Sequence, residues 1–404
     1  MTVGSALGSA LRGVKVLDLS RLLPGPFASL ALADLGAQVD KVEELGGDYL
    51  RHMPPLLEGR PVAGASPASD GGMSAMFAAL NRGKRSIALD LKKPRGRDAL
   101  LALASQYDVL LEQFRPGVLD RLGLSHATLR AKNPRLVVCA LTGYGQTGPL
   151  AQRAGHDINY LARAGILGQQ GPSGAPPVVP GFQLADVGGG LWSVVGILAA
   201  LARRDRTGEG SVIDISMVEA SMGFGALGLG QLFADVLPPR GEAPLTGGLS
   251  GYGTYETKDG KYVALGALEP KFLMAFYRGI GLPFETSALL PGPHQAAHKE
   301  KLAAVFRERT RDEWEAFGKE HDCCLEPVLD PTELRSDPNL QARGAFFQVD
   351  SPWGSLPQLS LPVTDVRSSH LAPPRLGEHT TQILEEAGYS PADIASMKED
   401  ASAR

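Results

Sequence analysis

Two acidic residues and one histidine stand out because of their places in the chain. His156 and Asp157 are adjacent within the stretch AGHDINY, and Asp186 stands before three glycines and a helical pattern in QLADVGGGLW. A histidine opposite a carboxylate can place an acid and a base on two faces of one carbon atom. Aspartates before helices are also common caps for free backbone N–H groups, so a structural role for both stays open.

A third carboxylate follows an apolar strand pattern. Glu269 ends that pattern in ALGALEPKF, and Pro270 after it is typical of a helix start. Four basic residues fall at expected loop ends, where they either bind an anionic ligand or form a solvated rim: Lys84, Arg85, Arg115 and Arg121.

The glycines at 188–190 favour a close approach between the backbone and a bulky ligand. They lack the lysine of a P-loop and the spacing of a dinucleotide fingerprint. The sequence therefore gives no support for a nucleotide-dependent oxidoreductase.

The composition excludes several classes of protein. The 404 residues carry a formal net charge of −4, whereas nucleic-acid-binding domains are usually strongly basic. The three cysteines lack metal-ligand spacing, which predicts neither a metal site nor a disulfide framework. The N-terminus does not resemble a signal peptide, and we expect no apolar run near the roughly 20 residues that span a membrane. We therefore expect a soluble, cytoplasmic protein without a nucleic-acid or membrane partner.

These candidate residues need a scaffold, and the first half of the chain predicts one. Apolar, β-branched runs alternate with helical patterns, which indicates βαβ units and a mostly parallel sheet of the Rossmann-like kind. In such α/β folds ligands bind where strand ends meet helix starts. The predicted strands are VKVLDL, AQVDKVE, RSIALDL, DVLLEQF, RLVVCALTGYG and, after a long helix at 185–204, SVIDISM.

The later part of the chain predicts a smaller α+β domain. We place the large domain at residues 1–224, the small domain at 225–330, and a C-terminal segment that returns to the large domain at 331–404. The segment TYETKDGKYVALGAL predicts a hairpin with its turn at Asp259-Gly260. The Gly- and Pro-rich stretch at 46–74 predicts a long surface excursion.

Taken in order, the motifs resemble the class III CoA-transferase family, and within it the α-methylacyl-CoA racemase branch. The resemblance covers about two-thirds of the chain and rests on GVKVLDLSRLLPGPFASLALADLGAQVDKVE, NRGKRSIALDLK, FRPGVLDRLGL, LTGYGQTGP, AGHDINYLARAGIL, LADVGGGLWSVVGILAAL and YVALGALEPKF.

The resemblance implies an interlaced homodimer and a coenzyme A thioester as ligand, with no other cofactor. Arg115 and Arg121, and then Lys84 and Arg85, are the implied contacts for the anionic CoA. One departure is the pair Glu43 and Glu44, which stands where racemase-like members have a basic residue after the second strand.

For the racemase branch, the implied acid–base pair is His156 with Asp186. The branch also implies that Glu269 hydrogen-bonds the histidine and that the backbone N–H of Asp157 binds the thioester oxygen. The expected reaction is 1,1-proton transfer through an enolate on a 2-methyl-branched acyl-CoA.

The same family contains true CoA-transferases, and this reading stays open. There, the aspartate equivalent to Asp186 attacks an acyl-CoA and forms an anhydride and then a thioester. His156 and Glu269 favour the racemase. The long excursion at 46–74, and the absence of the form NMLDGG in PLTGGLSGYGTYETKDG, favour the transferase. Other CoA-thioester chemistry, or a non-catalytic CoA-binding protein, are further alternatives.

Overall fold

The computed structural model describes residues 7–57, 72–362 and 371–404. The strands are β1 Lys15–Asp18, β2 Gln38–Glu43, β3 Leu56–Leu57, β4 Met73–Ser74, β5 Lys84–Ala88, β6 Val109–Glu112, β7 Val137–Thr142, β8 Val212–Ser216, β9 Tyr252–Glu256, β10 Tyr262–Gly266, β11 Leu325–Pro327, β12 Phe346–Ser351 and β13 Gly354–Leu359. The helices are α1 Pro24–Asp34, α2 Ala75–Leu80, α3 Pro94–Ala104, α4 Val118–Arg121, α5 His126–Lys132, α6 Asp157–Arg163, α7 Ile166–Gln169, α8 Leu184–Thr207, α9 Met217–Met222, α10 Ala226–Phe233, α11 Pro270–Gly279, α12 Gln295–Phe306, α13 Arg311–His321, α14 Pro338–Ala342, α15 Thr380–Glu386 and α16 Pro391–Glu399.

The central sheet has six strands in the order β5-β2-β1-β6-β7-β8, and all of its pairings are parallel. Strands β6 and β7 are buried along their whole length, as expected for a parallel sheet covered on both faces. This result confirms the predicted parallel α/β architecture and all six predicted strands. The strand order reverses between β1 and β6, and α/β sheets bind ligands at such a reversal.

The chain divides by its contacts into two compact units. The first unit contains the chain up to Leu161, Phe182–Ser221 and Pro338–Arg404, and the second contains Ala162–Gly181 and Met222–Asp337. The first unit thus includes a C-terminal return. Residues 162–181 lie within the predicted large domain but belong to the second unit.

The core of the first unit joins distant parts of the chain. Residues of α15 and α16 pack with those of β1, β6, α3 and α5, so the C-terminal segment completes an apolar core that begins at the first strand. A smaller cluster contains Leu50, Phe77 and Trp353, and it ties the antiparallel hairpin β12–β13 to the region around α2. Of the predicted excursion at 46–74, residues 58–71 lie outside the described part of the chain.

Helix α8 packs closely on α1, and glycines make this approach possible. A Cβ atom at Gly190 would lie 2.7 Å from the carbonyl oxygen of Pro24, and one at Gly189 would lie 2.7 Å from Cγ of Met217. The expectation that a ligand approaches these glycines is therefore corrected for two of them: Gly190 admits the backbone of α1, and Gly189 admits the side chain of Met217. The cause is packing, because any larger residue would separate the two helices.

Length and composition alone would allow α8 to cross a membrane. This corrects the expectation that no segment is long and apolar enough. Buried core helices of soluble proteins meet the same criterion, and α8 contacts α1, β7 and β8 of the central fold.

The second unit has a three-stranded antiparallel sheet in the order β11-β10-β9. Its core is aromatic, and Phe276 packs against Phe306, Trp314 and Phe317. The predicted hairpin is confirmed as β9–β10, and Gly260 in its turn has a φ of 72°.

Candidate active site

A cavity of about 400 Å³ opens at the carboxyl ends of the central strands. Its wall is formed by the segments that leave four strands: Leu19–Arg21 after β1, Glu43–Asp48 at the end of β2, Leu89–Lys92 after β5 and Phe114 after β6. These strands include β1 and β6, between which the strand order reverses. The cavity therefore lies where an α/β sheet is expected to bind a ligand.

We call one set of buried charged side chains the buried ion cluster: Asp18, Lys41, Glu43, Asp48, Arg51 and Lys84. Of this set, Glu43 and Asp48 line the cavity. Lys41 Nζ lies 3.0 Å from an Asp48 oxygen and donates to the carbonyl oxygen of Ser20 at 2.7 Å. Arg51 donates to both oxygens of Glu43 at 2.7 and 2.6 Å. The cluster thereby joins the loop after β1 to the loop after β2.

The cluster also explains why Glu43 stands in the segment where racemase-like members have a basic residue. The Glu43 carboxylate is held by Arg51 and by the Ser86 hydroxyl at 2.7 Å, so it serves the fold and needs no ligand as a partner. Glu44 is exposed and lines the cavity.

Lys84 and Arg85 do not lie where contacts with CoA were expected. They are the first two residues of β5, at its amino end, and not at a loop that faces the cavity. Lys84 is fully buried, where Nζ donates to Asn81 at 2.9 Å and to the carbonyl oxygen of Pro26 at 3.0 Å. Arg85 donates to Asp40 at 2.6 and 2.7 Å and to Glu386 at 2.7 and 2.9 Å. Their charges are satisfied inside the protein, which removes both from the candidate CoA contacts.

Arg115 and Arg121 are both exposed and follow the carboxyl end of β6. Arg115 lines a small cavity of about 150 Å³ together with Glu112, His126 and Gln146. His126 Nε2 donates to the Glu112 carboxylate at 3.1 Å, and this hydrogen bond raises the pKa of His126. Because Arg115 and Arg121 are both exposed, they remain available to an anionic ligand.

Sequence reasoning missed two cations that the structure places beside the cavity at the carboxyl ends of the strands. Arg21 and Lys92 are exposed and line it. Both follow parallel strands directly, Arg21 in DLSRLLPGP and Lys92 in ALDLKKP. Their position after strand ends is the signal that would have found them.

The start of α6 holds His156 in a fixed turn. The backbone N–H of His156 donates to Oδ1 of Asn159 at 3.0 Å, and its carbonyl oxygen accepts from the N–H of Asn159 at 2.8 Å. Tyr160 is buried and donates to the carbonyl oxygen of Gly155 at 2.5 Å. A Cβ atom at Gly155 would lie 2.7 Å from the Tyr160 ring, so the residue before His156 must be small. The imidazole itself belongs to an exposed residue.

Asp157 connects this turn to Asp186. Its Oδ1 accepts from the backbone N–H of Ala185 at 2.7 Å and from that of Asp186 at 3.1 Å. Burial, and then the nearby charge of Asp157, raise the pKa of Asp186 to about 7. The structure therefore brings His156, Asp157 and the backbone of Asp186 together at the starts of two helices.

Glu269 belongs to the second unit. It is the exposed N-cap residue of α11, where Pro270 begins the helix, and its side chain makes no capping hydrogen bond. The predicted helix start is confirmed, and the carboxylate makes no hydrogen bond to the first turn of α11.

The site provides acid–base and nucleophilic groups. A carboxyl with a pKa near 7 is divided between its acid and base forms at neutral pH, and a carboxylate can also attack an acyl carbon. In the described residues, no group of three or more His, Cys, Asp and Glu side chains is placed to hold a metal ion.

The parallel sheet, with a cavity at its reversal point, defines an α/β protein. The perturbed carboxyl of Asp186, which does not line that cavity, is typical of an enzyme. Comparison with known proteins gives the family: residues 11–380 match the sequence model of CoA-transferase family III, and the chain belongs to this family.

Relatives with two different activities are similar to this chain. Alpha-methylacyl-CoA racemase of Homo sapiens is 39% identical over 400 residues, covering 97% of each chain. Succinyl-CoA:glutarate CoA-transferase of Homo sapiens is 32% identical over 393 residues, covering 93% of this chain and 85% of the relative. A solved CAIB/BAIF family protein from Brucella suis superimposes with a TM-score of 0.79 at 30% identity, covering 94% of this chain and 100% of the other.

Proposed function

We propose that the protein is an acyl-CoA racemase that acts on 2-methyl-branched acyl-CoA thioesters. The observation that carries this proposal is the Asp186 carboxyl, whose pKa of about 7 suits a group that takes up and releases protons at neutral pH. The higher identity to the human racemase than to the human transferase supports the same assignment.

The CoA portion is assigned to the cavity at the carboxyl ends of the strands. Arg21 and Lys92 line this cavity, and Arg115 and Arg121 follow β6 near the sheet reversal. These four exposed cations suit a ligand with several phosphate charges. No cofactor other than the CoA of the substrate enters the proposal.

In the proposed reaction, one of His156 and Asp186 removes the α-proton of the thioester. The electron pair of the broken C–H bond moves onto the carbonyl oxygen, which gives an enolate. Asp157 is the first residue of α6, so its N–H has no partner within the helix and can donate to this oxygen. The other residue of the pair then returns a proton to the opposite face of the carbon.

The decisive experiment uses one stereoisomer of a 2-methylacyl-CoA in deuterated water without an acceptor acid. Proton NMR follows the loss of the α-hydrogen, and chiral analysis follows the epimer. The proposal expects exchange together with epimerisation. A lack of exchange across several acyl chains would overturn it.

A second candidate function is CoA transfer between carboxylic acids. It is favoured by the same half-buried carboxyl, since an ionised Asp186 is poorly hydrated and is suited to attack an acyl-CoA. The similarity to a succinyl-CoA:glutarate CoA-transferase also supports it. Hydroxylamine separates the two functions, because inactivation in the presence of acyl-CoA requires a covalent intermediate on Asp186.

We also propose that the protein acts as an interlaced homodimer. Helix α8 exposes apolar side chains that a second copy would cover, with Leu191, Trp192 and Val195 being 47, 49 and 53% exposed. Light scattering coupled to size exclusion tests this: a dimer mass is expected, and a monomer mass at working concentration would contradict it.

A further inference from the structure

Three side chains at the start of α6 make four hydrogen bonds to backbone groups near the proposed acid–base pair. Asn159 accepts from the N–H of His156, and Tyr160 donates to the carbonyl oxygen just before it. Asp157 accepts from the first two N–H groups of α8, one of which belongs to Asp186. Two of these bonds hold His156, and only the Asp157 carboxylate reaches across to Asp186.

The start of α8 depends on this carboxylate for its cap. The N-cap residue Gln183 makes no side-chain capping bond, although the first N–H groups of every helix lack partners within that helix. Asp157 supplies the missing acceptor from a position 28 and 29 residues earlier in the chain. A carboxylate suits this place because it accepts hydrogen bonds and carries a negative charge toward the positive end of α8.

From this geometry, and resting on the proposed function, we propose that Asp157 is a positioning residue. Its carboxylate joins the start of α6, which follows His156, to the start of α8, which carries Asp186. The carboxylate acts on the reaction only through those two residues and exchanges no proton with the substrate, whereas the backbone N–H of Asp157 is the group assigned to the thioester oxygen.

The bond has two separable consequences for Asp186. It fixes the backbone from which the Asp186 side chain projects, and it brings a like charge near that carboxyl. Of the neighbouring groups, Asp157 and Tyr160 lie on α6, and the charge of Asp186 contributes to the raised pKa of the Tyr160 phenol. Arg115, after β6, acts on the same phenol in the opposite direction.

Two substitutions at residue 157 separate geometry from charge. Asp157→Asn keeps an Oδ1 acceptor for both N–H groups and removes the charge. Asp157→Ala removes both. The matched control is Ser390→Ala, which deletes the side-chain cap of α16, another helix of the first unit. This control reports what a generic loss of helix capping does to activity.

The first measurement requires no substrate. Selective ¹³C labelling of aspartate in the full-length protein, with Asp186→Asn for assignment, gives the pKa of the Asp186 carboxyl. In Asp157→Asn this pKa is expected to fall by about one unit, because the like charge is gone. An unchanged pKa would overturn the proposed coupling.

The second measurement is α-proton exchange by each stereoisomer of a 2-methylacyl-CoA across pH. For Asp157→Asn we expect kcat within about threefold and a pH profile moved to lower pH. For Asp157→Ala we expect kcat to fall about 100-fold with little change in KM, since a misplacement of about 1 Å has such an effect. Ser390→Ala should leave kcat, KM and the pH profile unchanged.

Two results of the kinetic measurement also overturn the proposal. Equal loss of kcat in Asp157→Asn and Asp157→Ala would make Asp157 itself an acid or base. Unchanged kcat in a folded Asp157→Ala would make the carboxylate a structural cap alone. If Asp157→Ala does not fold, the Asn variant and the NMR titration still decide. If the unsubstituted protein shows no exchange, the proposed function fails, whereas the NMR titration still tests the coupling of Asp157 to Asp186.

Discussion

The buried ion cluster and the Asp157–Asp186 pair both contain carboxyl groups of the first unit, but the pKa values of these groups are shifted in opposite directions. Burial alone would raise the pKa of Asp18, but Lys41, Lys84 and two serine hydroxyls lower it. Burial would likewise raise the pKa of Glu43, but the hydrogen bond and charge of Arg51 lower it. At Asp186, burial and a second carboxylate act together, and the pKa rises to about 7.

Burial therefore acts in the same direction in both regions, and the sign of the neighbouring charge decides the outcome. A carboxylate matched with a cation stays ionised and stabilises the fold. A carboxyl placed beside another carboxylate can change its protonation state near neutral pH, which is the property that acid–base chemistry requires. Substitutions in the two regions test this distinction, because those in the ion cluster should lower stability and those at Asp186 should lower activity.

The largest expected effect is that of Asp186→Asn on activity. Proton transfer by a positioned group contributes about 10²- to 10⁴-fold to a rate, so we expect a loss of this size in exchange or transfer. The thermal midpoint should be at least as high as in the parent protein, because no paired charge is removed. Retained activity would exclude Asp186 from the chemistry.

Lys84→Met should have the opposite effect to Asp186→Asn: the stability should fall and the activity should be kept. Removing one partner of a buried ion pair leaves Asp18 with less compensation, which lowers the free energy of unfolding by about 3–5 kcal/mol. In the folded fraction, kcat and KM should change less than twofold. Urea unfolding and active-site titration measure both quantities. A raised KM for acyl-CoA without loss of stability would place Lys84 at the ligand after all.

A smaller effect separates the exposed cations from the paired ones. Arg115→Ala should raise KM for acyl-CoA about tenfold, as expected for the loss of one charge-assisted hydrogen bond of about 1.5 kcal/mol. Arg85→Ala should leave KM unchanged and lower stability, because its partners are Asp40 and Glu386. Equal KM values for the two variants would contradict this division of the basic residues.

The smallest expected effect is a pH dependence of stability. The pKa of Asp186 is raised to about 7 in the folded protein, against about 4 for an unfolded aspartate. Between these values the folded state binds more protons, so this group's contribution to stability is complete below about pH 4 and is lost as the pH rises through 7. Asp186→Asn should thus gain on the order of 1 kcal/mol of stability relative to the parent when the pH is raised from 6 to 7. Calorimetry at both pH values checks this.

Sequence reasoning succeeded where the physical signal is local. The buried, β-branched runs of the parallel strands and the turn at Asp259-Gly260 gave correct elements, because strand and turn preferences depend on neighbouring residues. His156 and Asp186 are candidates because His156 adjoins a carboxylate among small apolar residues and Asp186 precedes three glycines and a helical pattern.

It failed where the deciding partner is distant in sequence. Lys84 meets Asp18 across 66 residues, and Arg85 meets Glu386 across 301. No local sequence pattern distinguishes a cation that is paired within the protein from one that is free to bind a ligand. In the same way, Gly190 must be small because the backbone of Pro24 lies against it, and the Asp157 carboxylate accepts a hydrogen bond from the start of α8.

Because the first unit is discontinuous in sequence, its last segment is synthesised only after the second unit is complete. Ile383 and Met397 complete the core that contains Leu17 and Leu110, and Ala403 bridges to Leu89. The second unit is therefore fully synthesised while the first still lacks α15 and α16. The nascent chain thus exposes the apolar face of its earliest strands longest, and this stage is its time of greatest risk of aggregation.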